Sequence, residues 1–473
     1  MNPASSVSDP LIRHLAEILG PGGLFTDAQI LAPRLVDWRG RYQGRARCLA
    51  LPKTAEEVSA VVRACAGAGA PVVPQGGNTG LCGGATPDES GAAVLVGLTR
   101  MNRVRSLDAR NNTMTAEAGC VLATVQEAAL AARRLFPLSL AAEGSATLGG
   151  NLSTNAGGIQ VLRYGNTREL TLGLEVVLPS GEIWNGLRAL RKDNTGYDLK
   201  HLFIGAEGTL GIITAATMRL FPLPAAMTTA WIAVPDADAA VALLNLLQER
   251  FGAMLTACEL VSEAALELVL HHFPESIRPL PEKTPWYLLC ELSGSDSRLD
   301  EAFEEFLATA LETCALRDAI LARSLDQAER LWHLRENLSE AQQREGVSIK
   351  HDIALPISRI PEFLARAQAL LEEHFPGVRI IAFGHIGDGN LHYNLSLPDR
   401  EANTALLKAQ PRVHCLVHDL VAALDGSISA EHGLGQLKRA EILRYKTPVE
   451  MELMRAIKKT LDPLNLMNPG KVL

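Results

Sequence analysis

The sequence predicts an α+β protein in two large parts, and three observations carry that prediction. Glycine and small polar residues crowd the chain from about residue 45 to 224. From about 225 to 440, apolar strand-like runs alternate with pairs of amphipathic helices, the order that builds an antiparallel sheet with helices packed on one face. Within that second part, GHIGDGNLHYN (384–394) sets two histidines about an Asp-Gly turn. At 473 residues the chain has room for about three domain-sized units, or two large ones.

The elements follow in order. Thr54-Ala-Glu-Glu57 reads as a capping box opening an alanine-rich helix to about Gly69. PVVP is a strand that runs straight into QGGNTGLCGG (75–84), and AAEGSATLGGNLSTNAGGIQ (141–160) is a second glycine-rich stretch. LTLGLEVVLPSGE and GAEGTLGIITAATMRLFP supply further strands. In the second part TTAWIAV, WYLLCEL and the histidine hairpin are strands, while DADAAVALLNLLQERFG and DQAERLWHLRENLSEAQQREG are helical. A short third part, 441–473, holds a helix over about Pro448–Leu461 and then DPLNLMNPGKVL, a tail expected to pack back on the first part. The sequence shows no internal repeat.

Composition narrows the partners. A net charge of −8 and a pI near 5.9 argue against nucleic-acid or anionic-membrane binding, which needs basic patches. No run of 18 apolar residues exists to span a bilayer. MNPASSVSDP lacks the basic start and apolar core of a signal peptide. Cysteines 48, 65, 82, 120, 258, 290, 314 and 415 are scattered without a C-x-x-C, which suits reduced, mostly buried thiols. A cytoplasmic protein is expected, with loose peripheral membrane attachment left open.

The glycine stretches carry the first chemistry. Successive N–H groups in a glycine loop form an anion-binding concavity. QGGNTGLCGG is neither a nucleotide P-loop nor a dinucleotide G-x-G-x-x-G, so a nicotinamide cofactor is poorly supported. Alone it reads better as a flexible glycine turn than as an anion cradle. LGGNLSTNAGG changes the balance, because an uncharged loop of hydroxyl and amide side chains suits burial against a polar ligand.

The histidine hairpin carries the second. Folding about Asp388-Gly389 pairs Gly387 with Asn390, Ile386 with Leu391 and His385 with His392, with Asn394 on the face of His392. Two opposed imidazoles suit a metal ion, and this stretch alone leaves an ordinary hairpin open. SISAEHGLG offers a carboxylate, Glu431, with His432 beside it. His414 and His418 are i, i+4 in RVHCLVHDL, but Cys415 stands where a zincin has glutamate, so they are read as ordinary helix residues.

QGGNTGLCGGA, ATLGGNLSTNAGG followed by Arg163-Tyr164-Gly165, and GAEGTLGIIT resemble the FAD-binding domain of the vanillyl-alcohol oxidase and p-cresol methylhydroxylase superfamily. GHIGDGNLHYN, SAEHGLG and NPGK resemble its FAD-linked D-2-hydroxyacid dehydrogenases, which act on D-lactate, glycolate or D-2-hydroxyglutarate. The resemblance implies a two-subdomain FAD-binding domain over 1–224 (about 45–103 and 104–224), a substrate- and metal-binding cap over 225–440, and the tail over 441–473. It implies that Gly76, Gly77, Asn78, Thr79 and Gly80 wrap the FAD pyrophosphate. Ser145, Thr147, Gly150, Asn151, Ser153, Asn155 and Gly158 would line the dinucleotide and flavin, Glu207, Gly208 and Ile213 the adenosine, and Asn468 the flavin ring. Covalent members often read G-G-H in the first loop; this chain reads G-G-N at Asn78, so FAD is expected to be non-covalent.

His385, His392 and Glu431 align with the metal ligands of the D-2-hydroxyglutarate-type enzymes. Such a His₂Glu set with an open position suits Zn²⁺, and accepts Mn²⁺, Fe²⁺ or Co²⁺. His432 is then the expected general base, and it also touches substrate. Arg335, Ser339 four residues on along one helix face, and Lys350 at the start of the next strand match the set that binds the distal carboxylate of D-2-hydroxyglutarate. Asn394 would hold the proximal carboxylate. The expected activity is oxidation of a D-2-hydroxy acid to the 2-keto acid, D-2-hydroxyglutarate first and D-malate after it, with D-lactate or glycolate as the alternative. Electrons would pass to an electron-transfer flavoprotein, a quinone or a cytochrome, and a homodimer is compatible with the sequence. Two rivals from other classes are a zinc hydrolase, whose glycine loops hold a phosphorylated substrate, and a non-catalytic flavoprotein.

Overall fold

The structure is a computed structural model and describes residues 9–313 and 315–473; the start of MNPASSVSDP and Cys314 lie outside the described residues. The chain divides into two compact units. The first holds residues up to 157, 166–223 and 431–473; the second holds 158–165 and 224–430.

In the first unit, a four-stranded sheet runs in the order Leu24–Phe25, Cys48–Ala50, Val94–Gly97 and Val72–Gln75. The last three strands are parallel. The helix Ala55–Gly67 makes the crossover between Cys48–Ala50 and Val72–Gln75, burying Val58, Val61, Val62 and Cys65 at i, i+3, i+4 and i+7. Thr54 caps it by accepting the Glu57 N–H, and the Glu57 carboxylate turns back to the Lys53 N–H at 2.9 Å. Residues 466–468 close the edge of this sheet: Val72 donates to the Leu466 carbonyl and accepts from the Asn468 N–H. A five-stranded antiparallel sheet, in the order Val104–Asp108, Thr113–Glu117, Ile212–Arg219, Thr171–Val177, Ile183–Gly186, stands beside it. LGGNLST, read as loop, folds instead as a short helix, Leu148–Thr154. Thr147 caps its start by accepting from Gly150 N, and Asn155 ends it in the left-handed region at φ 50°. The helix Pro448–Leu461 begins on a full capping box between Thr447 and Glu450.

The second unit is one seven-stranded antiparallel sheet. Its order is Asp318–Leu321, Ala226–Val234, Trp286–Gly294, Leu255–Ser262, Arg379–Gly384, Asn390–Ser396, Asp352–Ala354. Helices cover both faces, so the layer expected on one face is joined by a second. Ala230, Ile232 and Val234 pack with Ala237–Phe251, Leu299–Glu312, Ile360–His374 and Gln410–Ala423. Trp231 and Ala233 point the other way, onto Glu263–His272, Leu325–Glu336 and Leu338–Glu345. The cause is visible in the strands: all eight residues of Leu255–Ser262 are buried, and strands covered on both sides carry continuous apolar runs. No helix among the described residues is long and apolar enough to cross a membrane.

Candidate active site

In the first unit, the strand Val72–Gln75 delivers the chain into a cleft of about 900 Å³, counting its open mouth. That is the size of a cofactor site. Gly76, Gly77, Asn78, Thr79, Gly80, Thr147, Gly150, Asn151, Ser153, Glu207, Gly208, Ile213 and His432 line it. The lining is almost uncharged, so an anion there meets backbone N–H groups and small polar side chains. The close fit of two segments of its wall demands glycine: a Cβ on Gly76 would lie 2.2 Å from Thr147 Oγ1, and one on Gly77 1.9 Å from the Ser145 carbonyl oxygen. Asn78 holds φ 56°, a conformation asparagine tolerates, and its Nδ2 donates to the Val36 carbonyl at 2.9 Å. Asn151 is buried, and its Nδ2 has no hydrogen-bond partner among the described residues.

Four residues expected at this site lie elsewhere. Ser145 is exposed and offers the cleft wall its carbonyl rather than its hydroxyl. Asn155 spends its side chain on the Arg168 N–H at 3.0 Å. Gly158 is not among the residues that line the cleft. Asn468 is buried behind the wall, its Nδ2 donating to the Gly84 and Glu207 carbonyls at 2.9 and 2.7 Å. Glu207 is not turned to a ligand either. Its two carboxylate oxygens accept the Leu434 and Gly435 N–H groups at 2.8 and 2.9 Å. It therefore anchors the loop that places His432 on the cleft.

In the second unit one carboxylate organises the site. Glu259 is fully buried, accepting from His385 Nδ1 at 2.6 Å on one oxygen and from Arg335 Nε at 2.7 Å on the other. Burial alone would raise this carboxyl, but the His385 and Arg335 charges and hydrogen bonds outweigh it and hold it at about 2. The hydrogen bond to Glu259 commits His385 Nδ1 as a donor. Arg335 also stacks on Phe383, 4.9 Å from the ring centre.

The hairpin differs from its expected register. His392 pairs with Phe383, and Gly384 ends the strand, so residues 385–389 form a wider loop than a two-residue turn. The His385 carbonyl collects the N–H groups of Asp388, Gly389 and Asn390. The Glu259 contact draws His385 out of the ladder, yet its ring stays 6.1 Å from that of His392. On its other side His392 pairs with Asp352, whose Oδ1 lies 4.0 Å from its Nδ1. Asn394 is committed inward, accepting the His351 N–H at 3.2 Å and donating to Gln342 at 2.8 Å.

Arg335 and Ser339 lie on two successive helices, not one, because the run breaks at Asn337. Arg335 is buried and Ser339 exposed. Lys350 is half-buried, two residues ahead of the strand Asp352–Ala354 rather than opening it. Ala430 donates to the Asp352 carbonyl at 3.3 Å, and Glu431 and His432 follow it directly in the chain. Glu259, Asp352 and Gln342 escaped sequence reasoning. For Glu259 the signal was there, a lone acid inside the apolar strand LTACELVS.

Comparison with known proteins decides the family. The FAD binding domain family matches residues 46–186, and the family of FAD linked oxidases, C-terminal domain, matches residues 223–472. This chain belongs to the FAD-linked oxidases. It is 38% identical over 470 residues to the mitochondrial D-2-hydroxyglutarate dehydrogenase of Arabidopsis thaliana, covering 99% of this chain and 82% of the relative. It is 39% identical over 466 residues to the D-2-hydroxyglutarate dehydrogenase of Xanthomonas citri pv. viticola, covering 98% and 97%. The fold matches p-cresol methylhydroxylase with substrate bound at a TM-score of 0.76 and 16% identity, covering 98% of this chain and 96% of the other. An alkyldihydroxyacetonephosphate synthase matches at 0.72 and 20%, covering 97% and 84%.

This FAD-linked oxidase is therefore an FAD-dependent oxidoreductase of the D-2-hydroxyacid dehydrogenase branch, and the hydrolase reading falls. Its own residues fit the cofactor. The glycine-tight wall at Gly76 and Gly77, the uncharged lining and the partnerless amide of Asn151 are what a polar dinucleotide needs.

Proposed function

We propose that this FAD-linked oxidase converts D-2-hydroxyglutarate to 2-oxoglutarate, with D-malate as a poorer substrate, and passes the electrons to an electron-transfer flavoprotein, a quinone or a cytochrome. The first unit holds non-covalent FAD through the lining described above, Asn78 offering only an amide where a nucleophile would be needed for attachment. The second unit holds the substrate, and His385, His392 and Glu431 hold a divalent cation, Zn²⁺ fitting these ligands.

The observation that carries this reading is the Glu259 carboxylate shared by His385 and Arg335. A carboxylate on the far nitrogen of a histidine is the outer contact that orients a metal-binding imidazole. FAD bound in the cleft would supply the acceptor for the C2 hydride, and a cation on His385, His392 and Glu431 would supply a Lewis acid that lowers the pKa of the substrate hydroxyl. His432, held at the cleft by the Glu207-anchored loop, takes the hydroxyl proton. Glu259 already balances the charge of Arg335, whose Nη groups make no hydrogen bond to a described residue. Those groups and Lys350 receive the distal carboxylate, with Ser339 contributing its hydroxyl. Asn394 acts through Gln342 and the His351 backbone to set the strand that carries His392.

An anaerobic visible spectrum of the purified protein tests this directly. D-2-hydroxyglutarate should bleach the flavin bands faster than D-malate or D-lactate, and the L-enantiomers should leave them unchanged. Lys350→Ala should raise the KM for D-2-hydroxyglutarate about tenfold more than that for D-lactate, a loss of about 1.4 kcal/mol. Equal bleaching by D-lactate, or equal effects of the substitution, would move the assignment to a D-lactate or glycolate enzyme.

A further inference from the structure

A second histidine cluster in the same unit takes no part in that chemistry. His414 and His418 sit one turn apart on the helix Gln410–Ala423, and His351 precedes the edge strand Asp352–Ala354. Successive residues of a strand point to opposite faces, so His351 is turned away from Asp352. One ring nitrogen from each of the three histidines lies within 4.8 Å of the others. The rings of His414 and His418 stack at 13°, and that of His351 stands edge-on to both, 4.8 and 5.3 Å away.

His351 shows how the set is oriented. Its Nδ1 lies 2.8 Å from the Tyr393 carbonyl. A carbonyl only accepts, so Nδ1 carries the proton and Nε2 accepts from His414 Nδ1–H 3.0 Å away, a proton that an ion bound between them would replace. A backbone carbonyl on the far nitrogen is a regular outer contact of a metal-binding histidine. Two nitrogens on one tetrahedral Zn²⁺ are about 3.3 Å apart, so this pair needs to open by only a few tenths of an ångström. The widest pair in the cluster closes by about 1.5 Å at most, within reach of side-chain rotation. His351 and His418 are buried while His414 is half-buried, which leaves a way in for an ion and a place for water as a fourth ligand.

We propose that His351, His414 and His418 form a second metal site, for a divalent first-row transition-metal ion held by three neutral imidazoles. The ion ties the helix Gln410–Ala423 to the edge strand, on the opposite side of the sheet from the face that carries His392 and Asp352. The inference does not depend on the activity proposed above.

Co²⁺ binding to metal-stripped, FAD-loaded protein tests it, because four-coordinate Co²⁺ is coloured. The comparison is His392→Ala against His392→Ala/His414→Ala, so that ligands of the first site cannot contribute in either. The single variant should bind one equivalent with visible absorption, and the double variant should bind at least tenfold more weakly and lose the band. His414→Ala alone should keep flavin bleaching by D-2-hydroxy acid. His418→Gln replaces His414→Ala if the latter loses its FAD. No Co²⁺ on the single variant would overturn the proposal. So would an equivalent that persists in the double variant, since it would then sit elsewhere, as at His271, His272 and Glu345.

Discussion

The two candidate sites are built by opposite means. The FAD cleft of the first unit is made of backbone, glycine and small neutral side chains, and its specificity lies in how closely the chain approaches itself. The Glu259 node of the second unit is made of charges, buried and tied to one another. A backbone site fails when a single carbon is added, whereas a charged site fails when one partner is removed and its counterpart is left buried.

Three substitutions separate these modes. The largest effect is expected from Glu259→Gln, which leaves Arg335 buried without its counter-charge. It should cost about 3–5 kcal/mol in urea unfolding and free His385 from its orientation, while FAD absorbance at saturation is retained. If the cost is below about 1 kcal/mol, the node is not what holds the site. Next comes Gly77→Ala, whose Cβ would meet the Ser145 carbonyl at 1.9 Å. FAD affinity should fall about a hundredfold, roughly 2.7 kcal/mol. Fluorescence titration of flavin measures this, and an unchanged affinity would put the pyrophosphate elsewhere. The smallest effect, with the opposite sign, is at Glu291. Burial lifts its carboxyl to about 7, opposed only by the Trp332 Nε1–H at 3.0 Å. The folded chain thus holds a proton that the unfolded chain has lost. Stability is present in full below the unfolded value of about 4.5 and is lost as pH rises through 7. Glu291→Gln should remove that slope and stabilise the protein by about 2 kcal/mol above pH 7, read from thermal melts between pH 5 and 8. A melting profile parallel to the parent's would mean that Glu291 is ionised in the fold.

The same contrast explains what could be read in advance. The helix Pro448–Leu461 and the Thr54 cap depend on residues three or four apart, and a short-range signal survives in any sequence window. The glycine cradle was legible for a related reason, since Gly76 and Gly77 announce a close approach wherever the opposing segment comes from. The hairpin register was not. Its turn chemistry favoured a tight Asp388-Gly389 turn, and the contact that opened it comes from Glu259, 126 residues away. Arg335 meets the same carboxylate across 76 positions, a separation that no local pattern reports. Asn337 shows the remaining gap: a one-residue break puts Ser339 on a different helix from Arg335, and no local residue type demands it.

The strip formed by residues 466–468 has a consequence for how the molecule comes into being. It closes the sheet from which the cofactor loop springs, and Asn468 braces the wall behind that loop. All 465 residues that precede this closing segment are synthesised first, including the whole second unit. During translation the second unit can mature while the first still lacks an edge. Closure of the glycine-lined cleft is therefore a late event in the protein's biogenesis, and a ribosome stalled before residue 466 would carry a folded second unit on a chain whose first unit has yet to close.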